Sequence, residues 1–143
     1  MRTKIKAFLR ENKLSPVSKE NWCFFEIVHK EPLRRDKIGT KKKIREFIRA
    51  KVGDSKGVYI YKKGDKFLYV GKGKPLKNRL YSHYSESFEK VSGDTKDNKY
   101  HRFFKKHEGK LEVYWKDLPE EGVRRIVEEM FNYVLKPKFN GFR

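Results

Sequence analysis

Two short runs of aromatic and β-branched residues in the middle of the chain predict a β-hairpin. Val58 to Tyr61 and Phe67 to Val70 have the composition of strands, and a Lys-Lys-Gly-Asp-Lys turn joins them. In each run, alternate residues are expected to face the core. A Gly-Lys-Gly-Lys-Pro loop follows, and it leads into a helix predicted from about Leu76 to Phe88. The rest of the chain can be placed around this hairpin and helix.

Three further elements are predicted after a polar break at Ser92 to Asp97. The first is a helix, because its aromatic residues lie at helical spacing: Tyr100, Phe103, Phe104 and His107. The second is a half-buried strand, in which Leu111, Val113 and Trp115 alternate with Glu112 and Tyr114. The third is a helix that begins near Pro119, and its apolar stripe comprises Val123, Ile126, Val127, Met130, Phe131 and Val134. It should stop before Pro137, because the residue preceding a proline is pushed out of the α region.

This order, β-β-α-α-β-α, predicts an α+β fold. We expect a small central antiparallel sheet of three strands, flanked by helices, in a domain of residues 57–143. Residues 1–56 are predicted to form a mainly helical, basic N-terminal extension, which would serve as an arm for DNA binding or oligomerisation. Asp54-Ser55-Lys56 is the expected join between the two parts.

Within the extension, Ile5, Phe8 and Leu9 predict a short amphipathic helix that ends near Asn12. The apolar run Trp22 to Val28 could be a strand or a buried helix, since periodicity does not distinguish them. Thr40 is a plausible N-cap for a second helix with Ile44, Phe47 and Ile48 on one face. Its basic residues are Lys41, Lys42, Lys43, Arg45 and Arg49. They form either an ordinary solvated face or a surface that contacts phosphates, and the charge of the chain favours the second.

The composition indicates a polyanionic partner. The 143 residues include 37 Lys and Arg against 19 Asp and Glu, a net charge of +18. Nucleic acid is the first candidate, an anionic membrane surface the second and acidic proteins the third. No apolar run approaches a membrane span and no signal peptide is evident, so we expect a cytoplasmic protein. Cys23 is the only cysteine, which excludes an intrachain disulfide, and we predict that it is a small buried hydrophobe.

A candidate phosphate site lies in the hairpin and the helix after it. Tyr59, Tyr69, Lys72, Arg79 and His83 fall within one short stretch. Each alone could be a packing aromatic or a solvated cation. Together they offer a planar guanidinium, an ammonium and the backbone amides of a glycine loop, which suit phosphate oxygens. A carboxylate for a magnesium ion is missing locally, although one glutamate from elsewhere would suffice.

These residues resemble the GIY-YIG nuclease family. Gly57-Val58-Tyr59 matches the first signature tripeptide and Tyr69-Val70-Gly71 the second, at a spacing like that of the repair-incision branch. The segment from Lys72 to Leu80 resembles the family's loop and its helix with the catalytic arginine, here Arg79. His83 takes a position where members have His or Tyr. Near the end, Glu128 precedes a Pro-x-aromatic-Asn tail, which is Pro137-Lys138-Phe139-Asn140 in this chain.

The resemblance covers Gly57 to Asn140 and implies metal-dependent hydrolysis of DNA. Glu128 would hold a magnesium or manganese ion, and spacing to the tail favours it over the adjacent Glu129, which periodicity alone does not exclude. Arg79 would clamp the scissile phosphate. Tyr59 would take a proton from the attacking water, with Lys72, His83 or the metal as the positive charge it needs, or His83 would itself be the base.

The remaining site residues follow from the same resemblance. Tyr69 would orient the water or the phosphate, while Gly71 and Asn140 would be structural. Lys74 and Lys77 would add to the DNA-binding surface of the basic helix. His29, His101 and His107 have no metal-ligand spacing and are expected to be packing or surface residues.

Several functional arrangements remain open. A small phage or restriction-type nuclease fits the length, and a multidomain repair or homing enzyme would need a second DNA-binding domain. A homodimer or a subunit acting with a partner protein is also possible. The alternative from another class is a non-catalytic basic module that binds nucleic acid through phosphates alone.

Overall fold

The computed structural model describes residues 1–89 and 98–142. This part of the chain contains five α-helices and four β-strands. The helices are α1 (Arg2–Glu11), α2 (Lys37–Val52), α3 (Leu76–Glu86), α4 (Asn98–Lys106) and α5 (Glu121–Leu135). The strands are β1 (Cys23–His29), β2 (Gly57–Lys63), β3 (Lys66–Gly73) and β4 (Gly109–Asp117). Short 3-10 turns cover Arg34–Asp36 and Lys138–Gly141. The polar break predicted at Ser92 to Asp97 lies outside the described residues.

All strands join one antiparallel sheet in the order β1-β4-β2-β3. The predicted hairpin is β2–β3, with Tyr59 opposite Gly71 and Tyr61 opposite Tyr69. From β2 onward the element order is the predicted one, and the α+β class is confirmed. The predicted three-stranded sheet is wrong by one strand, because β1 from the N-terminal segment pairs with β4 along its whole length.

Strand β1 forms within the apolar run Trp22 to Val28, for which the sequence allowed either a strand or a buried helix. Phe25, Ile27 and His29 are buried while Glu26 and Val28 are exposed, which is the two-residue alternation of a strand. Cys23 begins this strand and is exposed, so the prediction that it is buried was wrong. The alternation that buries Phe25 places Cys23 two residues earlier, at the end of the strand and beyond the cover of the core.

The sheet has an apolar core on each face. On one face, Tyr59, Tyr61 and Tyr69 pack with residues of α2, α3 and α4. On the other face, Val58, Ile60 and Val70 pack with residues of α1 and α5. Because both faces are covered, both sets of alternating residues in β2 are buried. The hairpin therefore carries side chains into two separate environments.

The N-terminal segment contributes to both cores. Ile48 and Val52 of α2 pack in the first core, and Leu9 of α1 in the second. Helix α2 begins at Lys37, before the Thr40 that the sequence suggested as its N-cap. The role of residues 1–56 as an arm for DNA or for oligomerisation stays a prediction.

Helix α5 buries only part of its predicted apolar stripe. Val127 and Phe131 are buried, whereas Val123 and Ile126 are 40% and 52% exposed. The buried residues of α5 are Arg124, Val127 and Phe131, so the helix is covered along one strip that begins in its first turn. Within residues 1–89 and 98–142, no helix is long and apolar enough to span a membrane.

Candidate active site

A chain of three polar side chains lies under the hairpin on the side of α3. The Tyr59 hydroxyl oxygen is 2.7 Å from Nε2 of His83. On the other side of the ring, Nδ1 of His83 is 2.7 Å from Oε1 of Glu86. Tyr59 and His83 are both completely buried. The sequence pattern produces this contact because Tyr59 is on the α3-facing side of β2 and His83 is on the inward face of α3.

Gly71 makes room for the Tyr59 phenol. A Cβ atom at this position would lie 2.5 Å from both the Cζ and the hydroxyl oxygen of Tyr59, and 2.7 Å from the Tyr69 ring. Such contacts are far inside van der Waals distance, so the second tripeptide needs a glycine opposite the tyrosine of the first. Gly71 is therefore structural in this arrangement, as the resemblance implies.

Tyr69 and Arg79 lie at the outer side of the same cluster. The Tyr69 ring centre is 5.9 Å from that of Tyr59, and its hydroxyl is 3.5 Å from the hydroxyl of Tyr100. The guanidinium carbon of Arg79 is 5.9 Å from the ring centre of Tyr100. Tyr69 is 8% exposed and Arg79 is only half-buried, so these two residues can meet a ligand from solvent.

Burial keeps the phenol and the imidazole neutral. Desolvation raises the pKa of Tyr59, and the positive charge of Arg79 opposes that shift. Desolvation also lowers the pKa of His83 well below its ordinary value, and the charge of Arg79 lowers it further. His83 therefore does not supply the positive charge suggested for it from the sequence. An unprotonated imidazole beside Tyr59 is instead a proton acceptor, and Arg79 is the cation that favours the phenolate.

The second cluster lies on the opposite face of the hairpin, on the side of α5. Nζ of Lys72 is 3.1 Å from Oε1 of Glu128. The Glu128 side chain is 19% exposed and that of Lys72 is 43% exposed. Glu129 is exposed, so of the two adjacent glutamates only Glu128 has its carboxylate against the hairpin.

Two asparagines fix the end of the chain against α5. Nδ2 of Asn140 donates to Oδ1 of Asn132 at 3.1 Å, and Nδ2 of Asn132 donates to the backbone oxygen of Glu128 at 3.1 Å. Beside Asn140, the Phe139 ring packs at 4.9 Å from both the Tyr69 and the Tyr100 ring centres. The Pro-x-aromatic-Asn tail thus contacts both clusters.

The predicted site residues therefore form two groups rather than one. Tyr59, Tyr69, Arg79 and His83 lie together on the α3 side, and Lys72 pairs with Glu128 on the α5 side. Strand β3 is at the edge of the sheet, so both groups can face a substrate that crosses this edge. Among the described residues, no cluster of three or more His, Cys, Asp or Glu side chains could hold a metal ion. The lone Glu128 still suits magnesium, which is commonly held by one or two carboxylates with waters and phosphate oxygens.

A basic cleft between α2 and α3 gathers part of the predicted DNA-binding set. Its volume is about 250 Å³, and it is lined by Arg45, Arg49, Lys77, Asn78, Tyr81 and Ser82. The Arg45 guanidinium stacks 4.4 Å above the Tyr81 ring centre. Nζ of Lys77 is 2.7 Å from Oδ1 of Asp54, whose side chain is 93% exposed. The cleft presents cations in fixed positions with a solvated counter-ion that a phosphate could replace.

The other predicted DNA-binding lysines are less concentrated. Nζ of Lys41 is 2.8 Å from Glu89, so its charge is already paired. Lys42 and Lys74 are exposed, and Lys43 is exposed but is not among the residues that line the cleft. The basic residues of α2 thus differ in what they can contact.

Sequence reasoning missed Glu86, Tyr100 and Phe139 as residues of the site. Tyr100 stacks on His83 at 5.7 Å, and Phe139 closes over Tyr69. Glu86 had a visible signal, because positions three apart on a helix face the same side and His83 is three residues earlier. Tyr100 and Phe139 had no such signal in the sequence, since the segments that carry them are brought together only by the fold.

The other histidines are packing residues. His29 is buried, stacks on Phe104 at 5.6 Å and lies 2.6 Å from the Ser87 hydroxyl, and burial lowers its pKa to about 3. His101 is buried, and its Nδ1 is 2.9 Å from the backbone oxygen of Glu86.

Known proteins share both the sequence and the fold of the hairpin domain. The UvrABC system protein C of Fervidobacterium nodosum is 36% identical over 90 residues, which are 63% of this chain and 14% of that protein. The protein of the same name from Thermosipho africanus is 34% identical over 89 residues, 62% of this chain and 14% of that protein. This chain therefore spans only a small part of the length of those curated relatives. No protein-family profile matches the chain.

Among solved structures, one form of the GIY-YIG N-terminal endonuclease domain of UvrC from Thermotoga maritima carries a point mutation and its catalytic divalent cation. It is 27% identical, with a TM-score of 0.50, and the match covers 69% of this chain and 97% of that domain. Another structure of the domain, 29% identical with a TM-score of 0.49 over 69% of this chain and 97% of that domain, is bound to magnesium as its catalytic cation.

The sequence and fold of the hairpin domain match those of an endonuclease domain, which confirms the predicted enzyme class. In sequence and fold the chain is similar to the GIY-YIG endonuclease domain of UvrC, which supports the predicted resemblance to the GIY-YIG superfamily. Its relatives are UvrC proteins, as the spacing of the tripeptides indicated. The comparisons give no support to the phage or restriction type that the sequence also suggested.

Proposed function

We propose that this chain is a metal-dependent DNA endonuclease that hydrolyses phosphodiester bonds with a single magnesium or manganese ion. The observation that carries the proposal is the pair of groups flanking edge strand β3, with Arg79 and the tyrosines on one side and Glu128 on the other. The UvrC domain with a TM-score of 0.50 is bound to its catalytic divalent cation, which supports a divalent metal ion here. A phosphodiester lying across this edge would meet a cation from one side and a carboxylate-held metal from the other.

The charged residues would stabilise the phosphate as negative charge develops on it. Arg79 can bind two non-bridging oxygens through its planar guanidinium. Glu128 would hold the metal ion, which when bound supplies a Lewis acid for the phosphate and the leaving 3′ oxygen. Lys72 would exchange its contact with Glu128 for a phosphate oxygen, because a solvent-accessible ion pair of this kind is held only weakly.

The buried pair would handle the proton of the attacking water. A phenol near its ordinary pKa of about 10 is a poor base at neutral pH, and burial makes Tyr59 a poorer one. The contact with His83 removes this difficulty, because Tyr59 can pass its own proton to Nε2 as it accepts the proton of water. Tyr59 and His83 then act together, which joins the two bases that the sequence offered as alternatives.

The cleft between α2 and α3 would bind the DNA backbone beside the scissile bond. Lys77 and Tyr81 belong to α3, the same helix that carries Arg79, so a phosphate held there fixes the register of the strand. Arg45→Gln combined with Arg49→Gln should weaken DNA binding about tenfold at moderate salt and lower the slope of log Kd against log salt. Lys66→Gln combined with Lys105→Gln, at exposed lysines outside the cleft and outside residues 1–56, removes the same charge and serves as the control.

The relatives are named as parts of a UvrABC system, and we propose that this chain also acts with a partner protein. A homodimer is the other arrangement that the sequence suggested. Sedimentation of the protein with and without a short DNA duplex tests the homodimer, because a dimer would sediment as such before any partner is added.

The decisive experiment is incubation of supercoiled plasmid with the protein and magnesium, with a chelator in the control. Nicked or linear product that requires the metal supports the nuclease. Salt-sensitive binding without metal-dependent cleavage would instead support the non-catalytic basic module. Mapping the cut to nucleotide resolution then gives the sequence or structure preference.

A further inference from the structure

We propose that Glu86 is a positioning residue, which holds His83 in the tautomer that can accept the proton of Tyr59. The inference rests on the proposed nuclease function and deepens it. The Glu86 side chain meets the site through His83, the ring whose Nδ1 it contacts.

The geometry places Glu86 at the end of a path of two short contacts. Its Oε1 is 2.7 Å from Nδ1 of His83, and Nε2 of the same ring is 2.7 Å from the Tyr59 hydroxyl. The Glu86 side chain is 12% exposed and that of His83 is fully buried, so solvent does not compete for either contact. A carboxylate in such a place costs free energy, and a structural role alone would be served by a neutral group.

The carboxylate decides which ring nitrogen carries the proton. A neutral imidazole has one N–H, and its position follows from the hydrogen bond that each nitrogen can make. An ionised carboxylate accepts and cannot donate, so it requires the N–H on Nδ1 of His83. Nε2 then has its lone pair towards Tyr59, and the Tyr59 hydroxyl must donate to it. The Arg79 guanidinium and the Tyr69 hydroxyl also lie against the Tyr59 oxygen, so the attacking water would replace one of them there.

The proton transfers balance on this path. As the water oxygen bonds to phosphorus, one water proton passes to the Tyr59 oxygen and the Tyr59 proton passes to Nε2 of His83. The bond from phosphorus to the 3′ oxygen breaks, and that oxygen leaves with the electron pair and takes a proton from solvent. The imidazolium formed at His83 lies beside Glu86, whose negative charge offsets it during the step.

The surroundings of Glu86 define the pH at which it can act. Burial raises its pKa to about 7, while the positive charges of Arg79 and His101 oppose that shift. The other titratable group against it is Tyr61 on β2, on which Glu86 acts by charge. Below about pH 7 the protonated carboxyl would donate to Nδ1 and place the N–H on Nε2, where it opposes proton acceptance. Cleavage should therefore decrease as the pH falls through 7.

Glu86→Gln is the first test of the proposal. The amide keeps the size of the side chain but removes the charge, so single-turnover cleavage should decrease about 10²-fold with the Kd for DNA unchanged. The decrease in cleavage below pH 7 that is expected of the wild type should also be absent from this variant. The control is Glu89→Gln, which makes the same change three residues later at a carboxylate that pairs with Lys41 and not with His83, and its cleavage rate should stay unchanged. Equal rates for the wild type and Glu86→Gln would overturn the proposal.

A double-mutant cycle with His83→Gln tests whether Glu86 acts through the imidazole. If it does, adding Glu86→Gln to His83→Gln should lower the rate no further. Additive losses would mean that Glu86 acts elsewhere, and the proposal would be wrong.

The tautomer itself can be observed without activity. In ¹⁵N NMR spectra of the wild type at pH 8, His83 should carry its proton on Nδ1, and the population should shift in Glu86→Gln. A proton on Nε2 in the wild type would contradict the proposal even if cleavage behaved as expected. Conversely, an Nδ1 proton in a protein that cleaves no DNA would refute the nuclease function and leave the contact intact.

Discussion

The two faces of the β2–β3 hairpin carry two kinds of chemistry. On the α3 face, Tyr59 and His83 are closed off from solvent, and burial keeps both neutral. On the α5 face, Lys72 and Glu128 are charged and partly exposed. Groups that move a proton benefit from an environment that sets their pKa and excludes competing water. A carboxylate that exchanges an ammonium for a metal ion needs access to solvent, so the difference follows from what each face has to do.

The largest effect should come from the α5 face. Glu128→Gln keeps the size and removes the negative charge that would hold the metal, so metal-dependent cleavage should decrease on the order of 10³-fold. Plasmid nicking measures this effect, and DNA binding should remain because Glu128 contributes no positive charge to it.

Glu129→Gln is the matched control, since the neighbouring glutamate is exposed and points away from the hairpin. It should cleave like the wild type. If Glu129→Gln is the inactive variant and Glu128→Gln is active, the assignment of the metal ligand is off by one residue.

On the α3 face, Tyr59→Phe should lower cleavage about 10²-fold, because it removes the hydroxyl that links the attacking water to His83. The rate at saturating DNA should change while Kd does not. Removal of the hydroxyl leaves Nε2 of His83 without a donor, which adds a small loss of stability.

Tyr61→Phe separates the catalytic hydroxyl from the general effect of removing a buried phenol. Tyr61 lies on the same face two residues later, and its buried hydroxyl has no hydrogen-bond partner among residues 1–89 and 98–142. This variant should cleave normally and be at least as stable as the wild type. A comparable loss of activity in both variants would show that packing, rather than the Tyr59 hydroxyl, is responsible.

The sequence predicted those elements whose local hydrophobic pattern matches the structure they adopt in the fold. The hairpin, α3 and α5 were evident because short periodic runs ended at glycine- or proline-rich loops. The pairing of β1 with β4 was not evident from the sequence, because the two strands are separated by most of the chain. The apolar run of β1 also fits a helix as well as a strand.

The same limit applies to the site. Motif spacing gave Tyr59, Arg79 and Glu128 as candidates, but it could not tell that the hairpin divides them between two faces. Burial decided the protonation state of His83, and burial depends on which helices cover the sheet. Glu86 could have been predicted as a neighbour of His83, since the two are three residues apart on a helix. Nothing in the local sequence showed that the pair would be buried.

Lys72→Met tests the link between the two faces. The ion pair with Glu128 is partly exposed and contributes little to stability, about 1 kcal/mol or less. Cleavage should still decrease about tenfold, because the phosphate loses a point charge. The metal concentration for half-maximal cleavage should stay equal or decrease, since Lys72 no longer competes for Glu128. An increase in that concentration would mean that Lys72 supports the metal site instead of exchanging with it.

The smallest effect concerns stability, and it distinguishes a positioning Glu86 from a structural one. Burial raises its pKa from the ordinary 4.5 to about 7. A carboxyl with a raised pKa in the folded state contributes stability below its unfolded pKa, and that contribution is lost as the pH rises through 7. The Glu86→Gln variant does not lose stability in this way as the pH rises, although its hydrogen bond with His83 is weaker. At pH 8 its free energy of unfolding should therefore exceed that of the wild type by about 1 kcal/mol. Urea unfolding of both proteins at pH 5 and pH 8 measures the difference, and a variant that is less stable at pH 8 would show that the carboxylate holds the fold together rather than the imidazole in place.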